Sequence, residues 1–281
     1  MSHPSLFGSA LRARSSTRIL ILGLLLVPLP RLRAQEITDD HDHDHDHLHF
    51  SHPLVTESPS PDTKLRFDYL GSRTSDATGI HENTFRLEGE YSFTHSLSLA
   101  IVTPFISRTA PATEKANGLG NIELSLKAAS LAFGERGLLV GGGLSAALPT
   151  GNDAKAIGSS HIVELEPFVD LGYKRNALEL VGFALLSSTF RQRAGENAER
   201  NLTLDFSTLY RIQSRLEGLL EVATERALIG SESGTQRTFV APGLKVYPFT
   251  NRQFMFGASL ELGTGIVHET RAWLLSGFYH F

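Results

Sequence analysis

A chain of 281 residues without a single cysteine supports neither a disulfide framework nor thiolate metal or redox chemistry. Its formal net charge of -4 and isoelectric point near 6.3 exclude the basic footprint of a nucleic-acid binder. The 41% hydrophobic content would suit a soluble protein, yet it does not exclude membrane-crossing strands, whose signal is a period-two alternation instead of long apolar runs.

The amino-terminal 34 residues read as an export signal. Arg12, Arg14 and Arg18 form a basic region, residues 19–29 an apolar one, and Leu32-Arg33-Ala34 before Gln35 offers a cleavage site. The apolar run is too short to span a bilayer, and no other segment reaches the ~18 consecutive apolar residues of a transmembrane helix. A low-complexity tail follows over residues 35–61. It carries His41, His43, His45, His47, His49 and His52, interleaved with Asp42, Asp44 and Asp46. Such a segment is expected to be disordered on the periplasmic side. Flexible, alternating imidazoles and carboxylates suit capture of Zn, Cu, Ni or Co, since several rings reach one ion and are largely unprotonated near neutral pH.

From residue 62 onward twelve strand candidates are read, at 63–71, 82–93, 96–107, 120–132, 137–148, 161–173, 177–189, 200–212, 215–225, 237–247, 253–262 and 270–281. Each is near the ~9–11 residues that a tilted strand needs to cross a membrane. Short connections at 94–95, 133–136, 174–176, 213–214 and 248–252 alternate with longer polar ones at 72–81, 108–119, 149–160, 190–199, 226–236 and 263–269. The final strand is apolar or aromatic at Trp273, Leu275, Tyr279 and Phe281, so the chain ends on an aromatic residue. Turns on one side, loops on the other and an aromatic last strand predict an all-β fold. It is a transmembrane antiparallel β-barrel of the Gram-negative outer-membrane type, with about 12 strands over residues 62–281. A soluble sandwich also alternates, but nothing obliges its connections to alternate short with long.

The same pattern assigns faces. Phe85, Leu87 and Tyr91 alternate with Arg86, Glu88 and Glu90, and Ile122, Leu124 and Leu126 with Glu123 and Lys127. Val163, Leu165, Val169 and Leu171 alternate with Glu164, Glu166 and Asp170, and Leu204 and Phe206 with Asp205. Arg or Lys on the lipid face near the midplane costs roughly 2–4 kcal/mol, so the charged rows are expected to line a lumen. Glu88, Glu90, Glu123, Glu164, Glu166, Asp170 and Asp205 give that lining an acidic excess, which favours cations in an open pore. Two strands are less clean: 137–148 is glycine-rich, and 177–189 is apolar on both faces.

The segments Asn117-Gly-Leu-Gly-Asn-Ile-Glu-Leu-Ser-Leu-Lys127, Ser145-Ala-Ala-Leu-Pro-Thr-Gly151 and Glu166-Pro-Phe-Val-Asp-Leu-Gly-Tyr173 resemble the outer-membrane transporter family named after a protein of the phenol meta-degradation pathway. The resemblance implies a barrel and transport, and carries no binding residue. The histidine tail is not a general feature of that family and suggests metal traffic instead of a hydrocarbon.

No enzyme is expected. Ser159-Ser160-His161 lies in a loop, where sequence neighbours rarely orient as nucleophile and base. Gly118-Leu119-Gly120 and Gly141-Gly142-Gly143 open no helix and are followed by no Lys-Ser/Thr pair, so neither is a phosphate loop. The sequence thus predicts a porin-like outer-membrane channel or transporter for small polar solutes or metal ions, with a metal-binding tail and no required cofactor. The alternative is a non-conducting anchor that buffers or senses metal at the periplasmic face. Expected partners are outer-membrane lipid, the barrel-assembly machinery and a periplasmic metal-handling protein.

Overall fold

The computed structural model describes residues 48–281 except 75–78, 111–112, 134–135, 195, 251 and 268–269. The export signal read at 1–34, and His41, His43, His45 and His47 with Asp42, Asp44 and Asp46, lie outside the described residues.

The described strands are β1 (Lys64–Thr74), β2 (His81–Thr94), β3 (Leu97–Ala110), β4 (Thr113–Leu119), β5 (Glu123–Phe133), β6 (Leu138–Ala147) and β7 (Val163–Arg175). They continue with β8 (Leu178–Phe190), β9 (Arg200–Gln213), β10 (Leu216–Ile229), β11 (Gln236–Val246), β12 (Phe254–Thr264) and β13 (Thr270–His280). Each pairs antiparallel with its neighbours, and the sheet closes where β1 meets β13, from Lys64 opposite His280 to Thr74 opposite Thr270. Among the described residues closure leaves an open edge only on the short β4, which pairs with β3 alone; the other strands are paired on both sides, the condition for burying strands in lipid.

β4 and β5 follow one another along the same neighbour: Phe105 to Ala110 of β3 pair with β4, and Leu97 to Val102 with β5. The two count as one stave, and the barrel has twelve. The loop expected at 108–119 therefore holds a strand at its end. The ladder of β3 continues past Phe105, with Ile106 opposite Gly118, Ser107 opposite Asn117 and Arg108 opposite Ala116.

Alternation sets the faces. Along β2, Phe85, Leu87 and Tyr91 are exposed while Thr84, Glu88 and Glu90 are buried; along β9, Leu204 and Phe206 are exposed while Thr203, Asp205 and Ser207 are buried. An outer surface of leucine, valine and phenylalanine over an inner surface of charges is an inside-out arrangement that only lipid solvates favourably. Aromatic side chains gather at the end of the short turns. Phe254 lies 4.6 Å from Tyr279 and 5.7 Å from Phe249, and Tyr279 lies 4.7 Å from Phe281. The backbone N–H of Phe281 donates to the carbonyl of Thr63, so the terminal aromatic is fixed where the chain enters the barrel.

Residues 48–61 differ from the sequence expectation. Instead of trailing away they fold into the lumen, where Phe50, His52, Leu54, Thr56, Ser58 and Ser60 are all buried. The physical reason is the partners they find there. The N–H of Phe50 donates to Ser60 Oγ, which folds the segment back on itself, and the Phe50 and Leu54 side chains enter notches in the wall. A Cβ on Gly172 would stand 2.6 Å from the Phe50 ring, and one on Gly257 would stand 2.4 Å from Leu54. Around them Leu139, Val181, Leu209, Leu219, Met255, Leu274 and Phe278 form an apolar core inside the barrel. Each fully buried Phe or Leu side chain contributes about 1.5–3 kcal/mol to holding the segment in place.

Candidate functional site: a lumen occupied by its own amino-terminal segment

The wall meets the segment with charges. Glu221 of β10 accepts the N–H of Leu54 at 3.2 Å, of Val55 at 2.9 Å and of Thr56 at 2.8 Å, and the Ser207 hydroxyl at 2.7 Å. Glu179 of β8 accepts the N–H of Ser51 at 2.8 Å. Cations take the carbonyls: Lys245 Nζ donates to His52 at 3.0 Å, Arg66 to Leu54, and Lys174 Nζ to His49 at 3.0 Å. Backbone groups that water would otherwise satisfy are thus matched one by one, which is what allows a loop to be buried.

A second network lies beside the returning arm. Lys127 Nζ contacts Glu57 at 2.8 Å and Glu90 at 3.4 Å, and Lys64 Nζ contacts Glu88 at 3.1 Å and also pairs with Glu90. Glu57, Glu88 and Glu90 converge closely enough to hold an ion. Two ammonium groups and the Arg86 guanidinium, 3.5 Å from Glu88, already supply the triad with counter-charges.

The residues expected to line the lumen sit as follows. Glu88, Glu90, Glu123, Glu166, Asp170 and Asp205 are buried on the inward face, and Glu164 is half-buried and accepts the Ser187 hydroxyl. Glu88 and Glu90 belong to the ion-pair network at the segment. Glu123, 1% exposed, has neither carboxylate oxygen hydrogen-bonded among the described residues. The lumen is not uniformly polar: Val102, Phe168, Phe183 and Leu185 form an apolar patch, with the two phenylalanine rings stacked at 5.8 Å. The glycine run on β6 makes room for side chains of β7, since Gly141 lies against Asp170 and Gly143 against Phe168.

Sequence reasoning missed Glu179, because β8 looks apolar throughout, and Glu57, because it belongs to the tail. The signal the sequence offered was a few apolar residues, Phe50, Leu54 and Val55, set among histidines, prolines and serines. Of the predicted metal ligands, the described His49 and His52 come together with Asp62.

The long loops carry one further cluster. His161 Nε2 lies 2.8 Å from Glu196, its Nδ1 lies 3.1 Å from Asp153, and Ser159 Oγ lies 3.4 Å from the same Nδ1. The loop thus brings Ser159 and His161 together, contrary to expectation, but Ser159 Oγ donates to Asp153 and accepts the N–H groups of His161 and Ile162. Those bonds make it a loop clasp instead of an activated nucleophile.

Glu196 first, and Asp153 after it, hold the His161 imidazole above its ordinary value. The Arg193 N–H and His161 hold Glu196 below its own. A raised histidine gives stability that is fully present below about pH 6.5 and fades as pH rises through the shifted value. The depressed carboxylate gives stability that is lost on acidification. The clasp should therefore be firmest in mildly acidic solution and loosen toward alkaline pH. In a histidine-resolved NMR titration His161 should titrate above free imidazole, and Glu196→Gln should lower its midpoint; an unchanged midpoint would refute the clasp.

Fold and lining together define a twelve-stave outer-membrane β-barrel whose lumen contains its own amino-terminal segment. No family model and no curated protein matches the chain. Among solved structures it is similar to the COG4313 outer membrane channel from Pseudomonas putida F1, at 14% identity and a TM-score of 0.64, covering 85% of this chain and 100% of that one. It is similar also to the NanC porin, at 10% identity and a TM-score of 0.53, covering 76% of this chain and 100% of the porin. The translocator domain of the autotransporter NalP from Neisseria meningitidis shares the fold at 11% identity and a TM-score of 0.52, covering 78% of this chain and 88% of that domain.

Proposed function

We propose that the protein is an outer-membrane channel for small polar solutes or metal ions, closed at rest by residues 48–61, with the histidine tail collecting metal on the periplasmic side. One observation carries this reading: outside the apolar anchors Phe50 and Leu54, the backbone of the segment is held by charged side chains of the lumen wall, contacts of the kind that water and ions can replace. An occluder that must leave needs such contacts, whereas a permanent core would be cheaper to build from apolar side chains. The unbonded carboxylate of Glu123 and its acidic neighbours supply an inner wall suited to cations. The channels among the solved neighbours support the coarser part of the reading. The resemblance to the phenol meta-degradation family supports transport without naming a solute.

The second reading is a non-conducting anchor, favoured by the complete burial of Glu221, Lys245 and Ser207 around the segment. Planar-bilayer recording separates the two. The channel reading expects conductance with cation preference, reduced by a combined Glu164→Gln, Glu166→Gln and Asp170→Asn change without loss of the folded, heat-modifiable gel species. Silence at every voltage, in the wild type and in variants that release the segment, would leave the anchor.

A further inference from the structure

The periplasmic mouth holds a group that neither the ion-pair network nor the lumen lining uses. His49 Nε2, His52 Nε2 and His280 Nδ1 lie 3.3, 2.9 and 2.8 Å from one oxygen, Asp62 Oδ2. The ligand atoms of His49, His52 and Asp62 all fall within 4.8 Å of one another. Three ring nitrogens crowd a single carboxylate oxygen that has only two lone pairs to offer. The spacing is that of a metal shell: with metal–nitrogen and metal–oxygen bonds of about 2.0–2.1 Å, the edges of a tetrahedral site are about 3.3 Å.

The surroundings hold these atoms in place. The carbonyls of His49 and His52 are held by Lys174 and Lys245 from the wall, and buried Phe50 stands between the two histidines. The other oxygen of Asp62 accepts the N–H of Thr63 at 2.8 Å, which turns Oδ2 toward the rings. His52 stacks on His280 at 5.2 Å, and His280 pairs with Lys64 at the β1–β13 seam. His52 is buried, while His49 is 54% exposed and leaves the site open to the periplasm.

We propose that His49, His52 and Asp62 form a divalent transition-metal site at the periplasmic mouth, with His280 as the residue that positions Asp62. Imidazole and carboxylate together suit Zn and its neighbours, and each ring binds in its neutral form with its proton on the far nitrogen. All three ligands precede β1, and the His280–Asp62 hydrogen bond ties them to β13, the strand that closes the barrel. A bound ion therefore fastens the occluding segment in place. This deepens the proposed metal function of the tail and rests on it for the class of ligand, but it places the tight site at the base of the segment, just before β1.

The test is calorimetric titration of the folded full-length protein in detergent with Zn, and its visible absorption with Co. Replacing His41, His43, His45 and His47 together by Asn should leave one tight equivalent, together with the intense absorption of low-coordinate cobalt. Asp62→Asn should remove both. His280→Gln should weaken binding about 10–100-fold, as loss of a partner that orients a ligand does. If Asp62→Asn fails to fold, His49→Gln at its exposed position gives the same answer. Loss of the tight equivalent in the Asn-substituted tail, or its persistence in both Asp62→Asn and His49→Gln, would overturn the site. Weak multiple binding that vanishes only with the tail histidines would leave the tail reading standing and this one refuted; no binding to any form would refute both.

Discussion

Glu221→Ala should release the amino-terminal segment from the lumen while leaving the barrel assembled. The carboxylate is fully buried and accepts three consecutive backbone N–H groups, from Leu54, Val55 and Thr56, as well as the Ser207 hydroxyl. Its removal strands three donors where water does not reach. Breaking a buried charged network by deleting one partner costs about 3–5 kcal/mol, which shifts the ratio of seated to released segment by roughly two to four orders of magnitude. The strands keep their ladders, so unboiled gel mobility should not change. Limited proteolysis should cut within 48–61 in the variant and spare the wild type, and bilayer conductance should rise. Glu221→Gln keeps the shape and one acceptor oxygen, so it should lie between the two. Protease resistance equal to the wild type in Glu221→Ala would show that the apolar side chains, not the carboxylate, seat the segment.

What the sequence made legible follows from where each residue's partners lie. Strand positions were readable because alternation is local: Phe85, Leu87 and Tyr91 declare a lipid face through their own spacing, and the charges between them have nowhere else to point. Turn and loop lengths then gave the closure. The occluding segment was not readable in that way. Its backbone is matched by Glu179, Glu221, Lys174, Lys245 and Arg66, all contributed by strands distant in sequence, and no local pattern announces a carboxylate aimed at somebody else's N–H. Glu179 was hidden by the apolar run around it, and Glu57 by a tail whose histidines and prolines imitate a solvated linker. The same holds for Asp62 and His280, which stand 218 positions apart and meet only because the barrel closes. A strand hidden in the loop after β3 escaped because polar pairs such as Ser107 with Asn117 carry no hydrophobic alternation.

Joining residue 56 to residue 207 should hold the channel shut on demand. The hydroxyls of Thr56 and Ser207 are in direct hydrogen-bond contact, 2.5 Å apart, one on the segment and one on β9. The chain has no cysteine of its own, so a Thr56→Cys, Ser207→Cys pair can form only the intended bond within the molecule. A disulfide places its sulfurs about 2.05 Å apart, close to the separation the two oxygens already have, and an oxidising periplasm favours its formation. Oxidised protein should not conduct, even with Glu221→Ala present, because the segment is now tied to the wall by a bond that water and ions do not replace. Reductant added to the same bilayer should restore the conductance of the Glu221→Ala background within the recording. Equal currents before and after reduction would mean that ions pass beside a seated segment, and the pore would then have to be sought along the acidic wall from Glu123 to Asp205.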